Sequence, residues 1–170
     1  GGRLLLRTTD GASPAGRTVE VKRRDFAFVL DGQSHVTIAD LEIFAATITT
    51  DSRSGDGGRG TTWARAASTT SHHVTLDHLT ARYVSHVTDL QGHMMGQWGQ
   101  NTGLVLSGSD HALSNSLVVG SAGNGVSALG HRHRIWNNRI TDTNYVAIEC
   151  GCIGTGWTTD SAVEGSWNSV

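Results

Sequence analysis

Nine histidines are spread along 170 residues, and several stand beside groups able to share a proton-transfer task. Asp77-His78 sets a carboxylate next to an imidazole, and Arg82-Tyr83 follows, with His86 beyond. A base, a phenol and a guanidinium beside a long loop suit proton abstraction from an anionic substrate, the guanidinium offsetting the charge. The densest cationic run, His131-Arg132-His133-Arg134, suits an acidic group. Glu149 lies in the apolar stretch Val146-Ala-Ile-Glu-Cys150. Facing inward, its pKa would rise; facing outward, it is an acid or a hydrogen-bonding group. Trp63, Trp98 and Trp157 offer flat amphipathic rings. The candidate catalytic residues are therefore His78, Arg82, Tyr83, His131, Arg132 and Glu149, and the candidate binding residues Trp63, Trp98, His133 and Trp157. Each has a structural reading as well: histidines at turns, a solvated basic turn, tryptophans that anchor their loops.

Other chemistries find less support. Asp77, Asp110, Asp142 and Glu149 are too scattered to choose a carboxylate pair. Cys150 and Cys152 would close a very tight ring if bridged, and Cys-x-Cys alone is too few ligands for a metal site, so none is read from spacing. Phosphate-loop, dinucleotide, zinc-protease and nucleophile-elbow motifs are absent. A net charge of −2 argues against a nucleic-acid partner, and no apolar run is long enough to span a bilayer.

The elements that must position these residues are short strands. Charged residues make up only 16% of the chain, with 22 glycines and one proline, and no window sustains a helical apolar period. Between Gly103 and Ile148 lie two near-copies of one unit: a short apolar strand, a glycine turn and a second strand ending in Asn-x-aliphatic. Asn115 and Asn138 match at an offset of 23. Upstream, His35-Val-Thr-Ile38 matches His73-Val-Thr-Leu76, and Leu41 matches Leu79, at an offset of 38. Leu79 to Asn115 adds 36, and Asn138 to Asn168 adds 30, so the unit recurs five times. A solenoid coil needs about 20–25 residues, and the excess is loop. The insertions fall at 51–71, 84–102 and 151–160, all rich in Gly, Ser and Thr, and are expected on one side of the stack. An asparagine at a coil corner can adopt the left-handed conformation, so Asn115, Asn138 and Asn168 are expected to stack as a ladder. His35, His73, His111 and His133 lie near another corner, in registers that differ by a residue.

Together, His35-Val-Thr-Ile38, Ser109-Asp-His-Ala-Leu-Ser-Asn-Ser-Leu117, Ser121-Ala-Gly-Asn-Gly-Val126 and Arg134-Ile-Trp-Asn-Asn-Arg-Ile140 resemble the right-handed parallel β-helix proteins of the pectate-lyase-like superfamily. The resemblance implies an all-β solenoid of five or six coils in a single domain over 1–170. It further implies a segment of a longer helix, because its last coil ends in mid-pattern at Val170 and its ends await further coils or another chain. It implies an extracellular or cell-surface location and a polysaccharide partner. The expected activity is that of a polysaccharide lyase or related glycan-degrading enzyme, with Ca²⁺ or an arginine neutralising the uronate and tryptophans stacking on sugar rings. The alternative is a non-catalytic glycan-binding, adhesin or fibre module that assembles end to end.

Overall fold

A computed structural model describes residues 6, 8–20, 23–24, 26–51, 70–84, 103–121 and 124–143, with the backbone of three further strands within 148–169. The described residues contain no helix, and so none long and apolar enough to cross a membrane. Fifteen strands follow in order: β1 (Phe26–Val29), β2 (Thr37–Ala39), β3 (Glu42–Phe44), β4 (Thr47–Thr49), β5 (Thr75–Asp77), β6 (Thr80–Arg82), β7 (Leu104–Ser109), β8 (Ala112–Ser114), β9 (Leu117–Ser121), β10 (Val126–His131), β11 (Arg134–Trp136), β12 (Arg139–Thr143), β13 (Ile148–Cys150), β14 (Ala162–Glu164) and β15 (Trp167–Ser169).

Every third strand joins the same sheet. The first sheet runs β1-β4-β7-β10-β13, the second β2-β5-β8-β11-β14 and the third β3-β6-β9-β12-β15. Every strand pair is parallel. The fold is thus an all-β stack of parallel strands in three sheets, compatible with a β-helix solenoid. The sequence between 52 and 69 joins the first sheet to the second, as does that between 151 and 161. The stretch from 85 to 102 joins the third sheet to the first. The expected insertions at 51–71, 84–102 and 151–160 lie almost wholly outside the described residues.

Apolar residues at alternate strand positions stack in columns that fill the interior. Ile38, Leu76, Leu113 and Ile135 form one column and Ile43, Ala81, Val118 and Ile140 another, all buried. Ile48, Leu104, Leu106, Val126 and Ala128 complete the core from the first sheet. Its strands β4, β7 and β10 are buried on both faces, with Thr47, Thr49, Val105, Ser107, Ser127 and Leu129 buried too, whereas Phe28 and Val29 of β1 are exposed. Among the described residues, the second and third sheets keep open outer faces.

The chain turns at three corners, each through a residue in the left-handed region. His35, His73, Asp110 and Arg132 turn the first corner, with φ between 54° and 58° at His35, Asp110 and Arg132 and 53° at His73. Asp40, His78, Asn115 and Asn137 turn the second; Ala45, Tyr83, Gly120 and Asp142 turn the third. Left-handed backbone costs an L-residue roughly 1–2 kcal/mol, and Asn, Asp and His tolerate it best, which explains much of this composition. At the end of the first-sheet strands Gly130 stacks on Gly108, with φ of 120° and 125°. A Cβ on Gly130 would lie 1.9 Å from the Gly108 carbonyl oxygen.

The registers correct the repeat spacing. The offset of 38 holds, with Thr37 opposite Thr75. Thr80 pairs with Leu117, an offset of 37 rather than 36. Arg139 pairs with Leu117, an offset of 22 rather than 23, and with Trp167, an offset of 28 rather than 30. The ladder partner of Asn115 is consequently Asn137, whose Nδ2 donates to Asn115 Oδ1 at 2.6 Å. Asn138 points inward, accepting from the Ser116 N–H at 2.9 Å and donating to the Leu113 carbonyl at 3.0 Å. Asn168 pairs with Ile140 within a strand, away from the corner.

The histidines separate in the same way. His35 and His73 turn the first corner, whereas His111 and His133 occupy the next position, inside it. The two buried rings are stacked at 5.2 Å and 5°. His111 Nδ1 accepts from the Val74 N–H at 3.1 Å and His133 Nδ1 from the His111 N–H at 3.3 Å. Their Nε2 atoms lie 2.9 Å and 3.1 Å from the carbonyls of Ser107 and Leu129, so both rings carry their proton on Nε2 and brace the corner as neutral groups.

Candidate functional site

The third sheet presents an open face between the second and third corners. Two adjoining depressions share Leu117 and Arg139. The first, about 520 Å³, is lined also by His78, Asn115 and Asn137. The second, about 460 Å³, is lined also by Phe44, Arg82 and Tyr83. Both volumes are in the range of small-ligand sites.

Short strands dictate this arrangement. In β6, Ala81 faces the core, so Thr80 and Arg82 face outward. Leu117 and Arg139 stack beside Thr80 in register, and Val119 beside Arg82. The corner residues His78 and Tyr83 stand at either end of β6 with their side chains projecting outward. His78 has a side-chain exposure of 59% and Tyr83 a residue exposure of 60%. Five residues of extended chain place them no more than about 17 Å apart, at opposite ends of the strand.

His78 is held by a hydrogen-bonded chain. Its Nδ1 lies 2.7 Å from Asp77 Oδ2. Asp77 Oδ1 accepts from Ser114 Oγ at 2.6 Å and Asn115 Nδ2 at 2.7 Å. Asn115 accepts in turn from Asn137. These bonds, that from Ser114 foremost and then those from His78 and Asn115, hold the Asp77 carboxyl down to about 2. An ionised Asp77 accepts the Nδ1 proton of His78, and in the neutral ring so held Nε2 carries the lone pair that can accept a proton. Strand alternation predicts that Asp77 and His78 face opposite ways. They do not, because the left-handed turn at His78 resets the alternation.

Arg82 and Arg139, both exposed, supply positive charge to this face. Arg82 Nε is 3.8 Å from Glu42 Oε1, a long exposed pair worth little. Tyr83 packs edge-on against Phe44, with ring centroids 5.4 Å apart. It also lies over Gly120, where a Cβ would approach the ring to 3.0 Å.

The other sequence candidates lie elsewhere. His131 ends β10, exposed, and Arg132 turns the first corner, whereas Tyr83 turns the third. Arg132 meets Asp110 in a two-pronged contact, both bonds 2.7 Å, and holds its carboxyl at about 2. Arg134 sits 5.1 Å over the Trp136 ring. His133 is 1% exposed and uses both ring nitrogens internally, so it does not line an open surface. Glu149 lies in β13 opposite Ser127; its side chain is outside the described residues. Trp63, Trp98 and Trp157 also lie outside them. Arg139, Asn115 and Asn137 were missed as site residues because only the register brings them beside His78. Among the described residues, His35, His72 and His73 alone are close enough together to hold a metal ion.

No family model, curated protein or solved structure matches the chain.

Proposed function

We propose that the third-sheet face binds an acidic polysaccharide and that His78 abstracts a proton from it, as in a uronate lyase. The observation that carries this reading is the exposed imidazole of His78, oriented by ionised Asp77 beside Arg139. Arg139 offsets the uronate carboxylate, which acidifies C5. His78 Nε2 takes the C5 proton, the electron pair forms the C4–C5 double bond, and the C4–oxygen bond breaks. The leaving oxygen takes its proton from the imidazolium at His78. Arg82 and Tyr83 hold the neighbouring sugar in the adjoining depression, and Asn115 and Asn137 offer amides to hydroxyls while steadying Asp77.

The architecture behind this proposal is a right-handed parallel β-helix of five coils of the pectate-lyase-like kind. Five strands per sheet and the strong preference for right-handed parallel crossovers support it. Such proteins act outside the cell. Absorbance at 235 nm on pectate, alginate, glycosaminoglycans and ulvan, with Ca²⁺ and with EDTA, tests the activity. A rise that His78→Gln abolishes is expected. No rise on any of them, with no new reducing ends, would sink the enzyme reading.

A second reading, a binding or assembly module, has one observation in its favour. The outer edge formed by β1 and β3 leaves Phe28, Val29, Leu41 and Phe44 exposed. Glycan binding without turnover, or association through that edge, would support it.

A further inference from the structure

We propose that His35, His72 and His73 form a binding site for a borderline divalent transition cation, with Zn²⁺ as the reference ion. The inference is independent of the glycan reading, since these residues stand at the first corner and not on the third-sheet face. Each histidine offers a ring nitrogen, and the three donor atoms lie within 4.8 Å of one another. His72 Nδ1 and His73 Nδ1 are 3.0 Å apart. At zinc–nitrogen bond lengths of 2.0–2.1 Å, two such donors subtend about 95° at the metal, near the angles of four- to six-coordinate ions. Tetrahedral ligands at that bond length stand about 3.3 Å apart, a separation inside the 4.8 Å within which all three donors lie.

The backbone assembles this cluster before any ion arrives. His35 and His73 hold successive left-handed positions at one corner, with rings stacked at 4.9 Å and 21°. His72 pairs with Ser34 and Ser109 in parallel bridges, and its N–H donates to Ser34 Oγ at 3.2 Å. Its ring stands nearly perpendicular to the other two, at 5.0 Å from His35 and 5.1 Å from His73. His35 and His73 are exposed, so the site is open to solvent and has room for a water as a fourth ligand. Next along the corner column is Asp110, whose carboxylate is engaged by Arg132 and adds negative charge near His73 without being a ligand. Three imidazoles and no carboxylate ligand favour Zn²⁺, Ni²⁺ or Cu²⁺ over the oxygen-seeking Ca²⁺ and Mg²⁺. A bound ion would tie His35 to the turn of chain that carries His72 and His73, 38 residues on in register.

Calorimetric titration of EDTA-stripped protein with ZnCl₂, and separately with CaCl₂, tests the site. The expected result is one Zn²⁺ per chain, a Zn²⁺-dependent rise in unfolding temperature, and no Ca²⁺ binding competing with it at this cluster. His72→Ala and His35→Gln should each weaken Zn²⁺ binding at least tenfold and remove the thermal shift, with circular dichroism in EDTA unchanged. His72 is not a left-handed residue, so its variant keeps the corner intact even if the His35 variant does not. Absence of Zn²⁺ binding, or binding unchanged in His72→Ala, would overturn the proposal.

Discussion

Acid should destabilise this protein through His111 before it touches the carboxylates. The ring is fully buried, stacked on His133, with Nδ1 accepting from Val74 and Nε2 facing the Ser107 carbonyl. Protonation would set an Nδ1 proton against the Val74 N–H and place charge in the interior. Burial first, then the neighbouring His133, lowers its pKa from 6.5 to about 4. An unfolded chain takes up this proton below 6.5 while the folded chain refuses it until about 4. The unfolded state therefore binds more protons in that window, and stability falls as pH falls through it, levelling below about 4. Between about pH 7 and about pH 4 the loss from this group is about 3 kcal/mol, at 1.36 kcal/mol per pKa unit. Asp77 and Asp110, both lowered to about 2, keep their favourable interactions above 3.8 and lose them only as pH falls toward 2, outside the window. Urea denaturation across this range, for the natural chain and for His111→Leu, measures the effect. The variant should be less stable at neutral pH, by about 1–3 kcal/mol for the stranded Val74 N–H, but with a flatter pH dependence. An unchanged slope in the variant, or an NMR titration of the His111 ring near 6.5, would refute the reasoning.

Three further outcomes follow from the geometry. Gly130→Ala drives a methyl into the Gly108 carbonyl at a φ of 120°, so denaturant midpoints should drop by the equivalent of roughly 3 kcal/mol or more, whereas a surface change such as Thr37→Ser should stay within about 0.5 kcal/mol. Asn137→Ala loses the bond to Asn115 and sets alanine in the left-handed region, for about 1–2 kcal/mol. Asn137→Gly should recover the backbone part of that loss in the same denaturation assay. On a responsive uronate polymer, Asp77→Asn should lower kcat about 10²-fold or more by upsetting the His78 tautomer, while Arg139→Gln should weaken substrate binding as well as turnover; steady-state kinetics at 235 nm separates the two.

The repeating short strands were legible because alternation and repeat spacing report the interior columns directly: Ile38 and Leu76 align in the sequence as they do in the sheet. The corners were harder to place. Asn137 and Asn138 are identical in type, yet one turns the chain and bonds Asn115 while the other points inward to Ser116. Matching by residue type chose the wrong one, since only backbone conformation distinguishes them. The one-residue difference in register among the histidines, visible in the sequence, separates two columns, one at the surface and one inside. His78, Arg82 and Tyr83 were found from their neighbours along the chain, but Arg139 comes beside His78 only because it stacks on Leu117, 22 residues earlier, in the neighbouring strand. The metal-ligating trio spans 38 residues of sequence and has no motif spacing to reveal it.

The central claim is that the third-sheet face is where acidic glycan binds. Titrating isotopically labelled protein with a saturated uronate oligosaccharide, and following each residue by NMR, tests that place without requiring turnover. The account predicts saturable shifts at His78, Asn137, Arg139, Arg82 and Tyr83, with His111 and His133 unmoved. Shifts confined to the His131–Arg134 corner, or none at any residue at saturating oligosaccharide, would contradict it.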